Sequence, residues 1–256
     1  MAKVYSLSEG SYSVDASKKF IPFDPSIHKK EERKASLFVE VQPFLIDFGT
    51  DLVLIDTGLG YADDANNLWI HNAIRKLGYS EMDVNMVLMS HLHYDHAGGM
   101  LKVNTSGYEI AFPNADYFIQ REEMNYALTK DSRSYHKERL EVVRRYSGLQ
   151  LIDGDGWINE YISFELTGAH CPYHQVFKIN HEHETYFFGG DVMPDAIQVV
   201  RKMIAKYDFD GRKSMELREH YGRKAAEESW KCLMYHDIRN ACVQFELKED
   251  MLSIKA

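Results

Sequence analysis

Residues 90–99 read Ser-His-Leu-His-Tyr-Asp-His-Ala-Gly-Gly and directly follow the almost wholly apolar run Val84–Met89. In extended chain, side chains two residues apart point the same way, so His91, His93 and Asp95 are expected to converge on one point beyond a strand end. His96 falls elsewhere on this spacing and can serve a neighbouring ion. Imidazole with carboxylate is the ligand chemistry of Zn²⁺, with Fe²⁺ or Mn²⁺ as alternatives. Ala97-Gly98-Gly99 is small enough for a tight backbone turn beneath a metal pair. Three later residues repeat the chemistry. His170 closes Thr167-Gly168-Ala169-His170, Asp191 follows Phe187-Phe188-Gly189-Gly190, and His236 follows Leu233-Met234-Tyr235.

Loops at strand ends on a rigid scaffold are where such residues are carried. Short apolar runs suit strands at Leu37–Phe48, Leu52–Asp56, Val84–Met89, Tyr108–Phe112 and Tyr117–Gln120. A second group follows at Gln150–Ile152, Ile162–Leu166, Gln175–Ile179 and Thr185–Phe188, with a last pair near Leu233–Tyr235 and Val243–Leu247. Helical spacing marks Asn67–Leu77, Arg121–Thr129, Ser134–Tyr146 and about Ser214–Glu228. Strands in both halves with helices between them predict a layered α/β or α+β fold. Residues 18–34, charged and bearing two prolines, read as a solvated loop. His181-Glu182-His183-Glu184 reads as a polar hairpin turn and not a second metal clip.

The 256 residues carry 30 Lys+Arg against 39 Asp+Glu, a formal net charge of −9, which argues against a grip on nucleic acid. Hydrophobic content of 45% excludes general disorder. No apolar run approaches the roughly 20 residues needed to cross a bilayer, so no membrane partner is expected. Three cysteines are too few for a disulfide framework, and the opening residues lack a signal-peptide layout; a cytoplasmic location is the expectation. No repeat, low-complexity tract or linker divides the chain, so residues 1–256 are expected to form a single domain. A homodimer is the base-rate expectation.

Asp56-Thr57-Gly58 closing an apolar strand, then His91-x-His93-x-Asp95-His96, His170, Asp191 and His236 together resemble the metallo-β-lactamase superfamily. The likeness runs from about residue 37 to residue 237. It is most similar to the lactonase and organophosphate-hydrolase-like branch, on His-Leu-His-Tyr-Asp-His-Ala-Gly-Gly, Tyr207-Asp208 and Tyr235-His236-Asp237. The resemblance implies a four-layer αββα sandwich with two divalent metals, Zn first, at one edge. It implies that His91, His93 and His170 hold one metal, that Asp95, His96 and His236 hold the other, and that Asp191 bridges them. A hydroxide bridging the two zincs would attack a small ester, lactone or phosphoester, Asp191 supporting the pair and Asp95 carrying the proton to the leaving group. Asp56 and Asp237 are expected to orient ligand imidazoles. Lactonases of this type have a tyrosine three residues after the bridging Asp; here that position is Pro194, so Tyr94, Tyr173 or Tyr235 is the candidate phenol.

Other classes make distinct demands. An iron-dependent oxidoreductase of the same fold is one alternative, although its diiron branch has Glu where this chain has His93. A phosphodiesterase or nuclease is another, set against the acidic charge and the lack of a basic segment near the site. A non-catalytic metal-binding module is the third. Substrate specificity is expected in loops around residues 20–35, 120–135 and 194–214, and a small molecule is the expected partner.

Overall fold

In the computed structural model, which describes residues 2–105 and 107–255, the chain forms two six-stranded sheets flanked by smaller ones. The first sheet runs, in spatial order, Lys3–Ser6, Phe44–Asp47, Leu52–Ile55, Met86–Leu88, Asp116–Gln120 and Leu149–Ile152. The second runs Gly156–Trp157, Ile162–Leu166, Gln175–His181, Glu184–Phe188, Lys231–Leu233 and Cys242–Val243.

The first sheet is covered on both faces, which explains why its central strands Leu52–Ile55 and Met86–Leu88 are apolar at every residue, whereas Ile162–Leu166 and Gln175–His181 of the second sheet mix apolar and polar residues. Along Leu52–Ile55, Val53 and Ile55 face the second sheet and pack in one cluster with Phe177, Phe188 and Leu233. Leu52 and Leu54 point the other way, into a cluster with Ile70 and Ile74 of helix Trp69–Lys76 and with Met124 and Ala127 of helix Arg121–Thr129. On the far side of the second sheet, Phe187 and Cys232 pack with Val199 of helix Ala196–Val200 and with Tyr221 and Ala225 of helix Gly211–Glu227. Helix, sheet, sheet and helix layers follow in turn. This is the expected αββα sandwich.

Strand direction decides where the loops gather. Leu52–Ile55, Met86–Leu88 and Asp116–Gln120 are mutually parallel. In the second sheet Ile162–Leu166 and Glu184–Phe188 are each antiparallel to Gln175–His181, and Glu184–Phe188 is parallel to Lys231–Leu233. Three of its strands therefore run the same way, and their carboxyl ends lead into His170, Asp191 and His236. Ligand sites of α/β sheets lie outside such strand ends. The two edges are stitched together at Gln175, whose N–H donates to Ser90 O at 2.9 Å and whose side-chain amide donates to Met89 O at 2.8 Å.

Two expectations need correction. The run Leu37–Phe48 is two strands in different sheets, Leu37–Val41 and Phe44–Asp47. Pro43 between them has no N–H for a ladder, and Gln42 turns its amide onto Met234 O at 2.5 Å and Asp237 O at 3.0 Å. Residues 18–34 are not wholly loop. Phe20–Pro22 pairs with Gly10–Val14, which pairs with Leu37–Val41, in a three-stranded sheet beside the site. The expected His181-to-Glu184 hairpin is present, joining Gln175–His181 to Glu184–Phe188. Among the described residues no helix is long and apolar enough to cross a membrane.

Candidate metal centre

After Met86–Leu88 the chain bends at Ser90, His93 is extended, and Tyr94–Ala97 then forms one helical turn. That turn changes the expected directions. A helix rotates successive side chains by about 100° and not 180°, so Asp95 does not share a point with His91 and His93. The nitrogens of His91, His93 and His170 cluster within 4.8 Å of one another; donor atoms of Asp95, His96 and His236 form a second such cluster, and those of His91, His96 and Asp191 a third. Asp191 lies between the first two. Its Oδ2 is 3.1 Å from His170 Nε2, while Oδ1 is 3.1 Å from both His96 Nε2 and His236 Nε2.

Four of the five imidazoles are aimed by a partner on the other nitrogen. Asp56, at the end of Leu52–Ile55, accepts from Ser90 N (2.8 Å) and Ser90 Oγ (2.7 Å), and faces His96 Nδ1 at 2.7 Å. Because Ser90 Oγ donates to Asp56, it accepts from His91 Nδ1 at 3.1 Å. His170 Nδ1 faces Asp208 Oδ1 at 2.9 Å, and His236 Nδ1 faces Glu40 O at 2.6 Å. These partners favour a proton on Nδ1 and direct the four Nε2 atoms into the centre. His93 instead turns Nδ1 inward, 3.1 Å from His170 Nε2. His174 takes a supporting place: its Nε2 accepts from Asp191 N at 3.1 Å and its Nδ1 bonds Thr167 Oγ1 at 2.9 Å.

The donor set fits divalent cations. His91 Nε2, His96 Nε2 and Asp191 Oδ1 are buried without a hydrogen-bond partner, an arrangement that costs free energy unless a ligand completes it. Burial holds His91 and His93 well below the usual imidazole pKa, and neighbouring imidazoles deepen the shift. The Lys18 ammonium is among the charges acting on His93. Burial also acts against charge on His96, but Asp191, Asp95 and Asp56 outweigh it and hold that imidazole well above its usual value. For Asp191, burial pushes the carboxyl up while His236, His170 and His96 overcome it and hold it well below the carboxylate range. Positive charge is thus favoured on the His96 side, beside Asp191, Asp95 and Asp56, and disfavoured at His91 and His93.

A model of the metallo-β-lactamase superfamily matches residues 38–202, well over half of the sequence. The chain belongs to the metallo-β-lactamase superfamily. Among curated relatives, the N-acyl homoserine lactonase AiiA of Bacillus thuringiensis subsp. kurstaki is 32% identical over 113 residues, 44% of this chain and 40% of that protein. The N-acyl homoserine lactonase AttM of Agrobacterium fabrum is 41% identical over 58 residues, 23% of this chain and 19% of that one. The chain thus matches less than half the length of these curated relatives. A probable metal-dependent hydrolase from Staphylococcus aureus superposes with a TM-score of 0.81 at 20% identity, covering 100% of this chain and 95% of that chain. AidC, a dizinc quorum-quenching lactonase in complex with a product, superposes at 0.76 and 18% identity, covering 99% and 94%. At such identities the superpositions establish the fold alone.

In this member of the metallo-β-lactamase superfamily the donor groups open onto a cavity of about 700 Å³. All three loop regions expected to carry specificity contribute to its wall, through Phe20, Tyr126, Ser134, Pro194 and Gln198 among others. The tyrosines sort by geometry. Tyr235 is buried, stacks on His96 at 4.1 Å and spends its hydroxyl on Asp95 O at 2.6 Å. Tyr173 packs against Tyr126. Tyr94 lines the cavity, stacked on His136 at 4.0 Å. So does Tyr207, which the sequence marked through Tyr207-Asp208 but not as a candidate phenol; its ring lies 6.0 Å from that of His170.

Asp237 does not orient an imidazole. Its Oδ2 accepts from Ala196 N and its Oδ1 from Arg239 N and Asn240 N, so it shapes the loop carrying His236. Sequence reasoning also missed the groups behind the ligands. Glu123 accepts from Leu92 N at 3.0 Å, from Tyr135 OH at 3.2 Å and from Cys171 Sγ at 3.4 Å. Burial pushes the Cys171 thiol well above its usual pKa, which suits a pocket-lining residue and not a nucleophile.

Proposed function

We propose that this chain is a dinuclear zinc hydrolase that cleaves a small ester, lactone or phosphoester. The observation that carries the reading is the pair of histidine-rich donor groups flanking the two oxygens of one buried carboxylate, Asp191. In this reading His91, His93 and His170 hold one cation, Asp95, His96 and His236 hold the other, and Asp191 spans both. Borderline imidazole and carboxylate donors suit Zn²⁺ better than Mg²⁺ or Ca²⁺. Loaded with two cations, the centre supplies Lewis acidity that lowers the pKa of a water nucleophile and polarises a carbonyl or phosphoryl oxygen.

The chain's own groups supply the rest. Asp208, Asp56 and Glu40 O keep the imidazole protons on Nδ1, so the inward nitrogens stay basic. Asp95 Oδ2, 3.5 Å from His236 Nε2, faces the centre at the cavity floor and moves a proton to the leaving group. Tyr94 and Tyr207 line the approach, where a phenol orients the scissile group. The lactonase relatives favour carboxylic esters and lactones as the first substrates to try. One domain spanning residues 1–256 accords with an apolar layer shared by both sheets, and three free cysteines accord with a cytoplasmic setting.

The test is a zinc-reconstituted assay across lactones, esters, thioesters and phosphotriesters, run beside Asp191→Asn. The expected outcome is turnover of at least one class, with D191N reduced by about 10²-fold or more while keeping its fold by circular dichroism. Metal content per chain is measured on both proteins. Fewer than two bound ions in an active enzyme would overturn the dinuclear reading, and turnover retained by D191N would overturn the role of Asp191.

A further inference from the structure

Charge around the cavity is segregated. The carboxylates in its wall are all committed. Asp191 and Asp95 face the histidine cluster. Asp208 is held between His170 and Arg218. Asp195 caps helix Ala196–Val200 and holds the Gln198 amide at 2.7 Å. All four Lys and Arg side chains in the same wall, Lys18, Lys19, Lys130 and Arg133, have no carboxylate within ion-pair distance among the described residues. Two separate segments supply them. Lys18 stands at the turn between Gly10–Val14 and Phe20–Pro22, while Lys130 and Arg133 lie in the loop after helix Arg121–Thr129.

Lys18 is placed there against a local preference. Its φ of +62° lies in the left-handed region, which a side chain beyond glycine disfavours. The turn is nonetheless pinned by Lys18 N–H donating to Asp15 O at 3.0 Å and by Ser17 N and Oγ donating to Asp15 Oδ1. Beside these cations the three-stranded sheet contributes Val14, Phe20 and Leu37 to the wall. These three are neighbours in register, Val14 facing both Phe20 and Leu37. A protein of formal charge −9 therefore presents unpaired positive charge beside an apolar wall at the mouth of this cavity.

We propose that the substrate is an amphipathic anion: Lys18, Lys130 and Arg133 hold an oxyanion of the substrate other than its scissile group, and Val14, Phe20 and Leu37 take its apolar arm. The inference rests on the hydrolase reading for the bond cleaved, but the oxyanion clamp is independent of the metals. Attraction between exposed charges is screened beyond about 8–10 Å at physiological salt, so the clamp acts most strongly at low ionic strength. It raises the efficiency with which a charged substrate is captured without altering the chemistry at the ester.

The experiment compares 4-nitrophenyl esters of identical chain length whose far end is a carboxylate, a phosphonate or a neutral carboxamide. The zinc-loaded full chain is used at about 50 mM salt. The expected kcat/KM ratio, charged over neutral, is well above one. It falls about threefold for each of Lys18→Gln, Lys130→Gln and Arg133→Gln, more in the triple variant, and it survives in Lys18→Arg. The carboxylate and phosphonate arms decide which oxyanion is preferred. In a second arm the non-hydrolysable anilide of the carboxylate compound is titrated into chelated protein by NMR, with the carboxamide as control. Equal ratios in wild type and triple variant overturn the clamp and leave the hydrolase reading standing. No turnover of any ester, with anilide binding that the triple variant weakens, overturns the hydrolase reading and keeps the clamp. Neither turnover nor charge-dependent binding overturns both.

Discussion

Glu9 carries a carboxyl group into the interior beside the loop that follows Asp56. Its Oε2 accepts from Leu59 N at 2.6 Å, and Oε1 is buried without a partner. Burial pushes its pKa up to about 8, against the pull of the Leu59 N–H. Below the ordinary carboxylate pKa, folded and unfolded chains both hold the proton and no pH-dependent cost arises. As pH rises toward 8 the unfolded chain releases a proton that the folded chain keeps, so stability falls across that window. Glu9→Gln removes this loss. In chelated protein we expect E9Q to be more stable than wild type at pH 8, by roughly 4 kcal/mol, with the advantage vanishing toward pH 4. Thermal scans across that range check it; a pH-independent difference would mean Glu9 is ionised in the fold. Nothing in the sequence marked Glu9, because its burial arises from packing under Gly58 and Leu59, some fifty residues away.

At the scale of elements, the ligand loops are held by contacts from behind. A Cβ on Gly99 would lie 2.0 Å from Thr57 O, and one on Gly98 2.2 Å from Leu59 O. These glycines let the histidine loop lie flush against the segment after Leu52–Ile55, a tighter role than the simple turn expected of them. Helix Gly211–Glu227 braces the other side through Arg218, which is 1% exposed. Its Nε donates to Val192 O at 2.7 Å, Nη1 to Met203 O at 2.8 Å and Nη2 to Asp208 Oδ2 at 3.0 Å. Asp208 passes that constraint to His170. Arg218→Met strands a buried carboxylate and is expected to cost about 3–5 kcal/mol in denaturant unfolding. Asp208→Asn with Arg218→Met is expected to cost less than the two singles together, by about 1–3 kcal/mol. Strict additivity would show that the two residues act separately. The helix itself was legible from its apolar spacing; that a charged residue on it faces inward was not.

For the molecule as a whole, the donor groups come from loops of both sheets, so a bound ion ties the two sheets together at one edge. A ligand at about one hundred times its dissociation constant stabilises by about 2.7 kcal/mol. For a chain of this size that raises the melting temperature by roughly 5–10 °C. Chelation is expected to lower the midpoint by this amount and added Zn²⁺ to restore it, read by calorimetry with metal content measured alongside. An unchanged midpoint after complete metal loss would show that the centre lies outside the cooperative unit.

The sequence alone determined the scaffold and the chemistry on it: apolar strands followed by His91, His93, Asp95, His96, His170, Asp191 and His236. Residue type and short spacing are local properties, and each of these donor residues sits within a few residues of the strand that carries it. Only the tertiary structure decided what aims those donor residues, and it supplied the physical reason that spacing alone misdirects Asp95. The helical turn Tyr94–Ala97 sends Asp95 toward His236, where simple alternation had sent it toward His91. His236 is oriented by the backbone carbonyl of Glu40, 196 residues earlier, while the adjacent Asp237 serves backbone N–H groups instead. A carbonyl is the same in every residue, so a partner of that kind leaves no trace in the sequence until folding brings it into place.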